Sequence, residues 1–465
     1  MTRRARKMLF YGLFALFLVG GTGTVLYAQG WRIDLATFTT EKVGAIFVES
    51  YPSDATIALD GKPIQNTTGF LNPGTLISNL FPKGYTLSLS APGYRPWAEE
   101  ATVHPTLVTE MKYAVLVPAN ASSASPATNV TDFFETNGGH VVTQDAAGLI
   151  ATPRQAVAGG ATNATTSTVL AHGALVSHGA DFTTFVVRTP SGVLMAYDPT
   201  LPQGSAPTDL SSLLLAASVP LRTITAVTVD PYDSTQIFVE TPSRYYTIDL
   251  SSRAVATLAT APAHHTLEGP LAISSSWLAW AEYNAASSTS RIVVYDPFAK
   301  NVIDGAFTIH GTVASLTWIR STVLGVLGTD GTLYRYDVTT QTSTTMATDA
   351  RSFAPTADGS TVAVREGSSL EILSLTVPSS EGGYYRFNLP AMATVRSLAW
   401  YHDNTHLFVV YPTHVNFLDL ADLSLHNFIS VAPIATDTTP YYDAQKNVLY
   451  LISPEGTLVQ FAFPN

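Results

Sequence analysis

The chain has 465 residues, too many for one ordinary hydrophobic core, and its low charged fraction of 13% with 46% hydrophobic residues argues against a disordered chain. It contains no cysteine, which excludes disulfides, thiolate catalysis and cysteine-bound zinc. The first 30 residues carry four Lys or Arg and no acid, so the remainder holds 20 basic and 35 acidic residues, a balance that excludes a body built to bind nucleic acid phosphates.

The N-terminus decides the compartment. Residues 8–28 are uncharged and about as long as the 20 residues that cross a bilayer as a helix. The basic tail 1–7 precedes them, so the positive-inside rule predicts a cytoplasmic N-terminus and an exported body. The alternative is a cleaved signal peptide, but a cut after Ala28 would place Leu26 where a small residue is preferred. We therefore predict a retained single-pass anchor in the cell membrane and an extracytoplasmic body.

Residues 42–118 show the pattern of a small β-domain. Residues 45–48 are aliphatic or aromatic, and residues 56–59 and 85–90 alternate polar with apolar side chains. Asp60-Gly61 directly follows the second run and predicts a type I′ hairpin turn. Gly84 and Gly93 are expected to supply positive φ in turns. No stretch has a convincing helical period, so this unit is predicted to be all-β.

The same segment resembles a known family. The residues that carry the resemblance, in chain order, are Gly44 to Val48, Tyr51-Pro52-Ser53-Asp54-Ala55, Leu59-Asp60-Gly61, Leu80, Gly84-Tyr85-Thr86-Leu87 and Ala91-Pro92-Gly93-Tyr94. Their order resembles the PEGA domain, although the Pro-Glu-Gly-Ala motif here reads Pro52-Ser53-Asp54-Ala55. The whole arrangement is similar to membrane-anchored surface proteins of bacteria with small genomes. The resemblance implies a small β-sandwich at the cell envelope and supplies no catalytic residues.

Three residues of this segment allow two interpretations. Tyr94 and Trp97 are large enough to fill one end of a small sandwich core. Alternatively, Tyr94, Arg95 and Trp97 form a binding surface. The core role is the favoured one for Tyr94 and Trp97.

Residues 119–129 are small and low in complexity, and we predict a linker there. Beyond it, strands repeatedly end in an aromatic or aliphatic residue followed by aspartate. These aspartates are Asp198, Asp249, Asp296, Asp337 and Asp419, at spacings of 51, 47, 41 and 82 residues. The doubled interval leaves room for a further strand at 370–375, where Ser374 replaces aspartate, and a last one at 456–461 ends near Gln460. Each aspartate is expected to accept backbone amides in the turn that follows.

A second register supports the repeat. Trp318 and Trp400 each lie 19 residues before a blade-end aspartate, and Trp280 lies 16 before one. Four strands per period of about 40–45 residues is typical of a β-propeller blade. Residues 130–165 either join the last blade or form one more, so we predict seven blades over residues 130–465, with eight as the alternative. Residues 353–359 also resemble TolB-like or WD-type propeller repeats.

Few residues in the sequence are candidates for catalysis or metal binding. His402 and His406 have helical i, i+4 spacing but flank a turn signal, so we assign them a turn or surface role. His264-His265 is expected to lie in a loop between blades. Asp230, Asp233 and Glu240 lack the ligand spacing of a calcium loop, and the first two are read as a turn. Neither a zinc-hydrolase His-Glu-x-x-His motif nor a Gly-x-Ser-x-Gly elbow occurs.

We therefore assign no catalytic, cofactor-binding or metal-binding residue and no cofactor. The predicted protein is all-β after its transmembrane helix: a PEGA-like β-sandwich followed by a β-propeller. The predicted function is a membrane-anchored scaffold that binds a protein or glycan partner at the cell envelope, without enzymatic activity and without nucleic acid. The alternative is a carbohydrate-active hydrolase or lyase with its site in the propeller funnel, where carboxylates from different blades would have to meet.

Overall fold

A computed structural model describes residues 3–34, 39–125, 127–135, 140–146, 148–153, 168–179, 183–198, 206–303, 307–376, 383–421, 425 and 427–464. The chain begins with helix α1 (Arg3–Ala28), which includes the basic cluster as well as the apolar run. Within it, Arg6–Ala28 is long and apolar enough to cross a membrane, and its apolar stretch is not buried in the rest of the protein.

A short hairpin follows the helix, and the sequence reading did not anticipate it. Its strands are β1 (Trp31–Asp34) and β2 (Thr39–Lys42), which pair antiparallel from Trp31 opposite Lys42 to Asp34 opposite Thr39. The hairpin joins the helix to the first folded domain.

The first domain is a β-sandwich of two sheets. In one sheet the strand order is β6-β3-β9, with β3 and β9 parallel, and in the other it is β5-β4-β7-β8. The strands are β3 (Gly44–Tyr51), β4 (Thr56–Leu59), β5 (Lys62–Ile64), β6 (Thr75–Leu80), β7 (Gly84–Ser90), β8 (Trp97–Thr102) and β9 (Val108–Val115). Alternate residues of both sheets face inward and form one core, as the alternating sequence pattern predicted.

The local predictions for the sandwich hold with one exception. Asp60 and Gly61 have φ of 47° and 73°, the two positive values that a type I′ turn needs. Trp97 is buried in the core and Tyr94 packs against it from a half-buried position. Gly84 is the exception, because it lies within strand β7 and not in a positive-φ turn. A Cβ there would meet only the carboxylate of the exposed Glu100 side chain, which can move aside.

The second domain is a ring of eight antiparallel sheets, each counted as one blade. Blade one consists of β11 (Asp132–Glu135), β12 (His140–Asp145), β13 (Gly148–Pro153) and β14 (Thr168–Ala171), and blade two of β15 (Ala174–His178), β16 (Phe185–Arg188), β17 (Leu194–Tyr197) and β18 (Thr208–Asp209). Blade three consists of β19 (Ala226–Val229), β20 (Gln236–Glu240), β21 (Arg244–Asp249) and β22 (Ala254–Thr260). Blade four consists of β23 (His265–Ile273), β24 (Leu278–Asn284), β25 (Thr289–Asp296) and β26 (Asn301–Val302), and β27 (Thr308–His310) also pairs with β25. A short helix, α2 (Leu210–Ala216), and a 3-10 turn at Leu221–Thr223 connect blades two and three.

Blades five to eight complete the ring. Blade five consists of β28 (Val313–Arg320), β29 (Val323–Gly328), β30 (Leu333–Asp337) and β31 (Thr342–Ala347), and blade six of β32 (Ala350–Pro355), β33 (Thr361–Glu366), β34 (Leu370–Ser374) and β35 (Tyr384–Phe387). Blade seven consists of β36 (Ser397–Trp400), β37 (His406–Val410), β38 (His414–Asp419) and β39 (Ile429–Pro433). Blade eight consists of β40 (Tyr441–Asp443), β41 (Val448–Ile452) and β42 (Leu458–Ala462), together with β10 (Ser122–Ser123) from earlier in the chain. A 3-10 turn at Met392–Thr394 precedes blade seven.

The predicted count of seven blades is corrected to eight, the alternative. Strand β10, from the segment predicted as a linker, already supplies the fourth strand of the last blade by pairing with β42. The residues that follow are therefore free to form a complete blade of their own, β11 to β14. The third strand of that blade, Gly148–Pro153, lacks the aspartate ending that five of the other blades have, so the spacing pattern does not indicate it.

Hydrophobic clusters join every blade to the next and close the ring. Seven clusters connect successive blades from one to eight, and an eighth connects blade eight back to blade one. In the closing cluster, Phe133 and Val141 of blade one pack with Tyr450 and Leu458 of blade eight. Closure buries the apolar faces of the first and last blades, which an open stack would expose to solvent.

The tryptophan register is correct for two of three residues. Trp318 and Trp400 both lie in the first strand of their blades and pack between neighbouring blades. The indole of Trp400 donates to the Ala354 carbonyl of blade six over 2.8 Å. Trp280 is also buried between blades, but it lies in the second strand of blade four. Its spacing of 16 residues differed for this reason.

Candidate functional site

The two faces of the ring differ in what covers them. In each blade the strands alternate in direction, so the turns after the first and third strands share one face, which we call the sandwich-side face. The turns between the second and third strands lie on the opposite face, which we call the open face. The cleft between the two domains lies on the sandwich-side face, beside the Tyr401–Asp403 turn after the first strand of blade seven.

Four of the five blade-end aspartates hold turns of the sandwich-side face, as predicted, and the turn after Asp198 lies outside the described residues. Asp249, Asp296, Asp337 and Asp419 each accept a hydrogen bond from the backbone amide two residues ahead, over 2.8–2.9 Å. Ser374 does the same more weakly, over 3.3 Å to the Thr376 amide. These side chains are therefore part of the turns and are not directed at the ring centre.

The sandwich and the ring share one hydrophobic core at blades seven and eight. Val115 and Val117, at the end of the sandwich, are buried with Phe408, Phe417 and Phe461 of those blades. Two hydrogen bonds cross the same joint: Arg95 donates to the Val431 carbonyl over 3.2 Å, and the Ala98 amide donates to Asn427 over 3.3 Å. Continuous apolar packing of this kind couples the domains mechanically.

The structure of this joint distinguishes between the two predicted roles, core or binding surface, for Trp97 and Arg95. Trp97 is only 2% exposed, so its ring is a core side chain and does not present a surface to a partner. Arg95 does bind, but its partner is the propeller of the same chain.

A buried charge cluster lies directly beneath the joint. His406, at the start of β37, is 1% exposed, and its Nδ1 lies 2.7 Å from Asp403 Oδ2. Its Nε2 lies 3.7 Å from Asp419 Oδ2, and its ring stacks on Phe417 with centroids 4.9 Å apart. Burial alone would lower the pKa of His406, but its hydrogen bond to Asp403 and the nearby Asp419 carboxylate raise it to about 9. His406 is therefore protonated near neutral pH.

This geometry corrects the sequence reading of the histidine pair. The turn was correct, since Asn404 has φ of 59° and Asp403 accepts the Thr405 amide over 2.8 Å. A surface role is wrong for His406, although His402 does lie at the surface and contacts the Tyr442 hydroxyl over 2.8 Å. The missed signal was position: His406 opens the apolar run Leu407 to Val410, and a histidine at the head of a core strand needs buried partners.

A cleft of about 250 Å³ opens beside this cluster, between the domains. It is lined by Tyr51, Tyr113, Val115, Tyr401, His402, Asp403 and Pro464. Four of these residues come from the ring and three from the sandwich. Burial is the main reason that the pKa of Tyr51 is raised to about 12, and it raises that of Tyr401 further. Both phenols therefore stay neutral and act as hydrogen-bonding groups.

Two glutamates join blades three, four and five near the open face. Glu240 is buried and accepts the Leu271 amide of blade four over 3.2 Å, and Glu268 accepts the Val313 amide of blade five over 3.3 Å. Burial raises the pKa of both carboxyls. A Cβ at Gly269 would lie 2.4 Å from the Glu240 carboxylate, so the backbone must approach it closely there. These oxygens hold neighbouring blades together.

The remaining candidates are not brought together. Asp230 and Asp233 accept the Tyr232 and Thr235 amides over 2.8 and 3.0 Å, which confirms the turn. Glu240 lies at the other end of strand β20 from that turn. His264 lies in the loop before blade four, as predicted, whereas His265 begins strand β23 and contacts the Ala263 carbonyl over 2.9 Å. Within the described ranges, no group of three or more His, Asp or Glu side chains is arranged to hold a metal ion.

Comparison with known proteins identifies the first domain. Residues 43–117 match the family model of the PEGA domain. No curated protein sequence matches the chain.

Solved structures similar to this one are β-propellers, each at low identity. An oligogalacturonate lyase in complex with manganese is 12% identical, with a TM-score of 0.45, over 74% of this chain and 99% of that one. BamB from Moraxella catarrhalis is 14% identical, with a TM-score of 0.45, over 74% and 98%. The propeller domain of Cps50 (Swd1) from Myceliophteria thermophila is 9% identical, with a TM-score of 0.40, over 75% and 100%. With such values the likeness says nothing of function, and the sheet topology defines the propeller.

Proposed function

We propose that this protein is a membrane-anchored scaffold that binds a protein or glycan partner outside the cytoplasm through the open face of its propeller. The observation that carries the proposal is the asymmetry of the ring. The sandwich packs at blades seven and eight, with its cleft beside the Tyr401–Asp403 turn on the sandwich-side face. The open face presents the turns between second and third strands, and loops on a rigid scaffold are where binding usually resides.

The proposal includes the division of labour along the chain. Residues 1–7 form a cytoplasmic tail, 8–28 the membrane span, 42–118 the sandwich, 119–129 the connection and 130–465 the propeller. Four basic residues before the apolar helix favour this orientation by the positive-inside rule. The sandwich then lies between the membrane and the ring, so the open face is directed outward.

The alternative, a carbohydrate-active hydrolase or lyase, has less support. Such an enzyme needs a pair of carboxylates free to reach a substrate. The two glutamates that join blades three to five, Glu240 and Glu268, accept backbone amides of the neighbouring blade. The blade-end aspartates accept amides within their own turns. Neither set is free for acid–base work.

Two matched alanines test which face binds. Ala286 and Ala299 are both exposed in blade four, and the amide of each donates to an Asx side chain over 2.9 Å. Ala286 lies on the open face and Ala299 on the sandwich-side face. Because the chain has no cysteine, Ala286→Cys and Ala299→Cys each carry one photo-crosslinker in intact cells. We expect a discrete crosslinked adduct at Ala286→Cys and none at Ala299→Cys. Adducts at Ala299→Cys alone would refute the open-face assignment.

The same variant tests topology. A membrane-impermeant maleimide should label Ala286→Cys in intact cells, because the body is expected outside. Thr2→Cys, in the basic tail, should react only after the cells are lysed. The opposite pattern of labelling would place the body in the cytoplasm.

A further inference from the structure

The junction between helix and sandwich is tied by one arginine. Arg32 stacks on the Tyr27 ring, with its guanidinium carbon 3.6 Å from the centroid, and donates to the Tyr27 carbonyl over 2.8 Å. Its other nitrogen donates to Asn79 Oδ1 of the sandwich over 2.9 Å. The first contact adds a cationic donor to the Tyr27 carbonyl at the helix end, which also accepts the Gly30 amide over 3.1 Å. The second fixes the helix end to the domain.

Two backbone hydrogen bonds extend the junction. The Val43 amide donates to the Gly30 carbonyl over 3.0 Å, and the Thr106 amide donates to the Val43 carbonyl over 3.0 Å. The turn before strand β9 is therefore held beside the residues that follow the helix. Ordered contacts on both sides of Val43 make this a fixed junction rather than a free linker.

Apolar side chains at this junction point away from the protein. Ile33 is 64% exposed and Leu107 59% exposed, and Tyr27 is exposed at the end of the helix. Lys42 lies over the Trp31 ring, with its Nζ 5.5 Å from the centroid. Aromatic rings, apolar side chains and cations on long stems are the composition of a membrane–water interface.

We propose that this end of the sandwich lies in the headgroup layer of the bilayer, with Ile33 and Leu107 as its lipid contacts and the β1–β2 hairpin along the interface. The occupant is the bilayer because the surface is continuous with the helix that spans it. The proposal rests on the membrane anchoring proposed above. Its consequence is a body held in one orientation, since two apolar contacts beside the anchor resist tilting.

The opposite end of the sandwich provides the control. Phe70 and Leu71 form the fully exposed tip of a turn in which Gly69 and Asn72 exchange backbone hydrogen bonds of 2.9 and 3.0 Å. That turn precedes Thr75, which pairs with Val48, whereas Leu80 at the junction end pairs with Gly44. At about 3.3 Å per residue, strand β6 separates the two ends by roughly 17 Å. Phe70 is thus apolar, exposed and outside the proposed lipid surface.

Single cysteines in the cysteine-free chain test this directly. The full-length protein is reconstituted into vesicles of phosphatidylcholine and phosphatidylglycerol with a nitroxide label at Ile33→Cys, Leu107→Cys, Phe70→Cys or Phe14→Cys. Accessibility to oxygen, which partitions into lipid, is compared with accessibility to a water-soluble nickel chelate. We expect Ile33 and Leu107 to be several-fold less accessible to nickel than Phe70 and to show oxygen accessibility between those of Phe70 and Phe14.

Each other outcome has one meaning. If Ile33 and Leu107 resemble Phe70 while Phe14 reads as lipid, the interfacial surface is refuted and the anchor stands. If Phe14 also reads as water, the anchoring itself fails. If Ile33 and Leu107 are shielded from both nickel and oxygen, another copy of the protein covers them and the lipid assignment is wrong.

Discussion

Replacing His406 by alanine is expected to lower the free energy of unfolding of the propeller by about 3–5 kcal/mol, since removing one member of a buried ion pair leaves its partners uncompensated. Here the partners are Asp403, 2.7 Å away, and Asp419, 3.7 Å away. Denaturant unfolding of the detergent-solubilised protein measures the change. His402→Ala is the control, because His402 is exposed four positions away. Equal effects of the two substitutions would contradict the assigned role of the cluster.

The same cluster predicts a pH dependence. The pKa of His406 is raised from an ordinary 6.5 to about 9, so its stabilisation is fully present below 6.5 and is lost as pH rises through about 9. The pKa of Asp403 is lowered despite burial, by its hydrogen bond to His406. Its contribution is therefore present above 3.8 and lost at lower pH. The gap between wild type and His406→Ala should be widest between these limits and should narrow above about pH 9. If the difference in unfolding free energy between wild type and His406→Ala stayed constant from pH 6.5 to above pH 9, His406 would not be charged at neutral pH.

Val117→Asp is expected to separate the two domains. Val117 is buried with the ring of blades seven and eight, and an unpaired carboxylate there costs several kcal/mol, about 3–5 by analogy with other unpaired buried charges. The sandwich and propeller should then unfold in two calorimetric transitions, whereas we expect the wild type to unfold both in one transition.

Val108→Asp is the matched control, because Val108 begins the same segment of sandwich chain but is half exposed at the junction end. It should leave the coupling of the two domains intact. A single unchanged transition for Val117→Asp would mean that the joint carries little of the coupling.

Local sequence patterns are sufficient to predict the periodic features of this protein. An uncharged run of bilayer length, a two-residue Asp60-Gly61 turn and strands ending in aspartate are each local, so the residues concerned report their own conformation. The structure has the helix, the positive φ angles at Asp60 and Gly61, and the Asx turns at Asp249 and Asp337. The PEGA-like sandwich and the propeller followed from the same local signals.

Features that depend on contacts between residues far apart in sequence required the three-dimensional structure. The propeller has eight blades and not seven because Ser122 pairs with Gln460 and so completes the last blade. No local sequence pattern indicates a pairing between residues so far apart. His406 is a buried cation in part because Asp419, in the neighbouring strand β38, lies directly opposite it. The domain joint likewise depends on Arg95 meeting Val431. A periodic pattern states which face of a strand is apolar, but the partner of that face is fixed by packing alone.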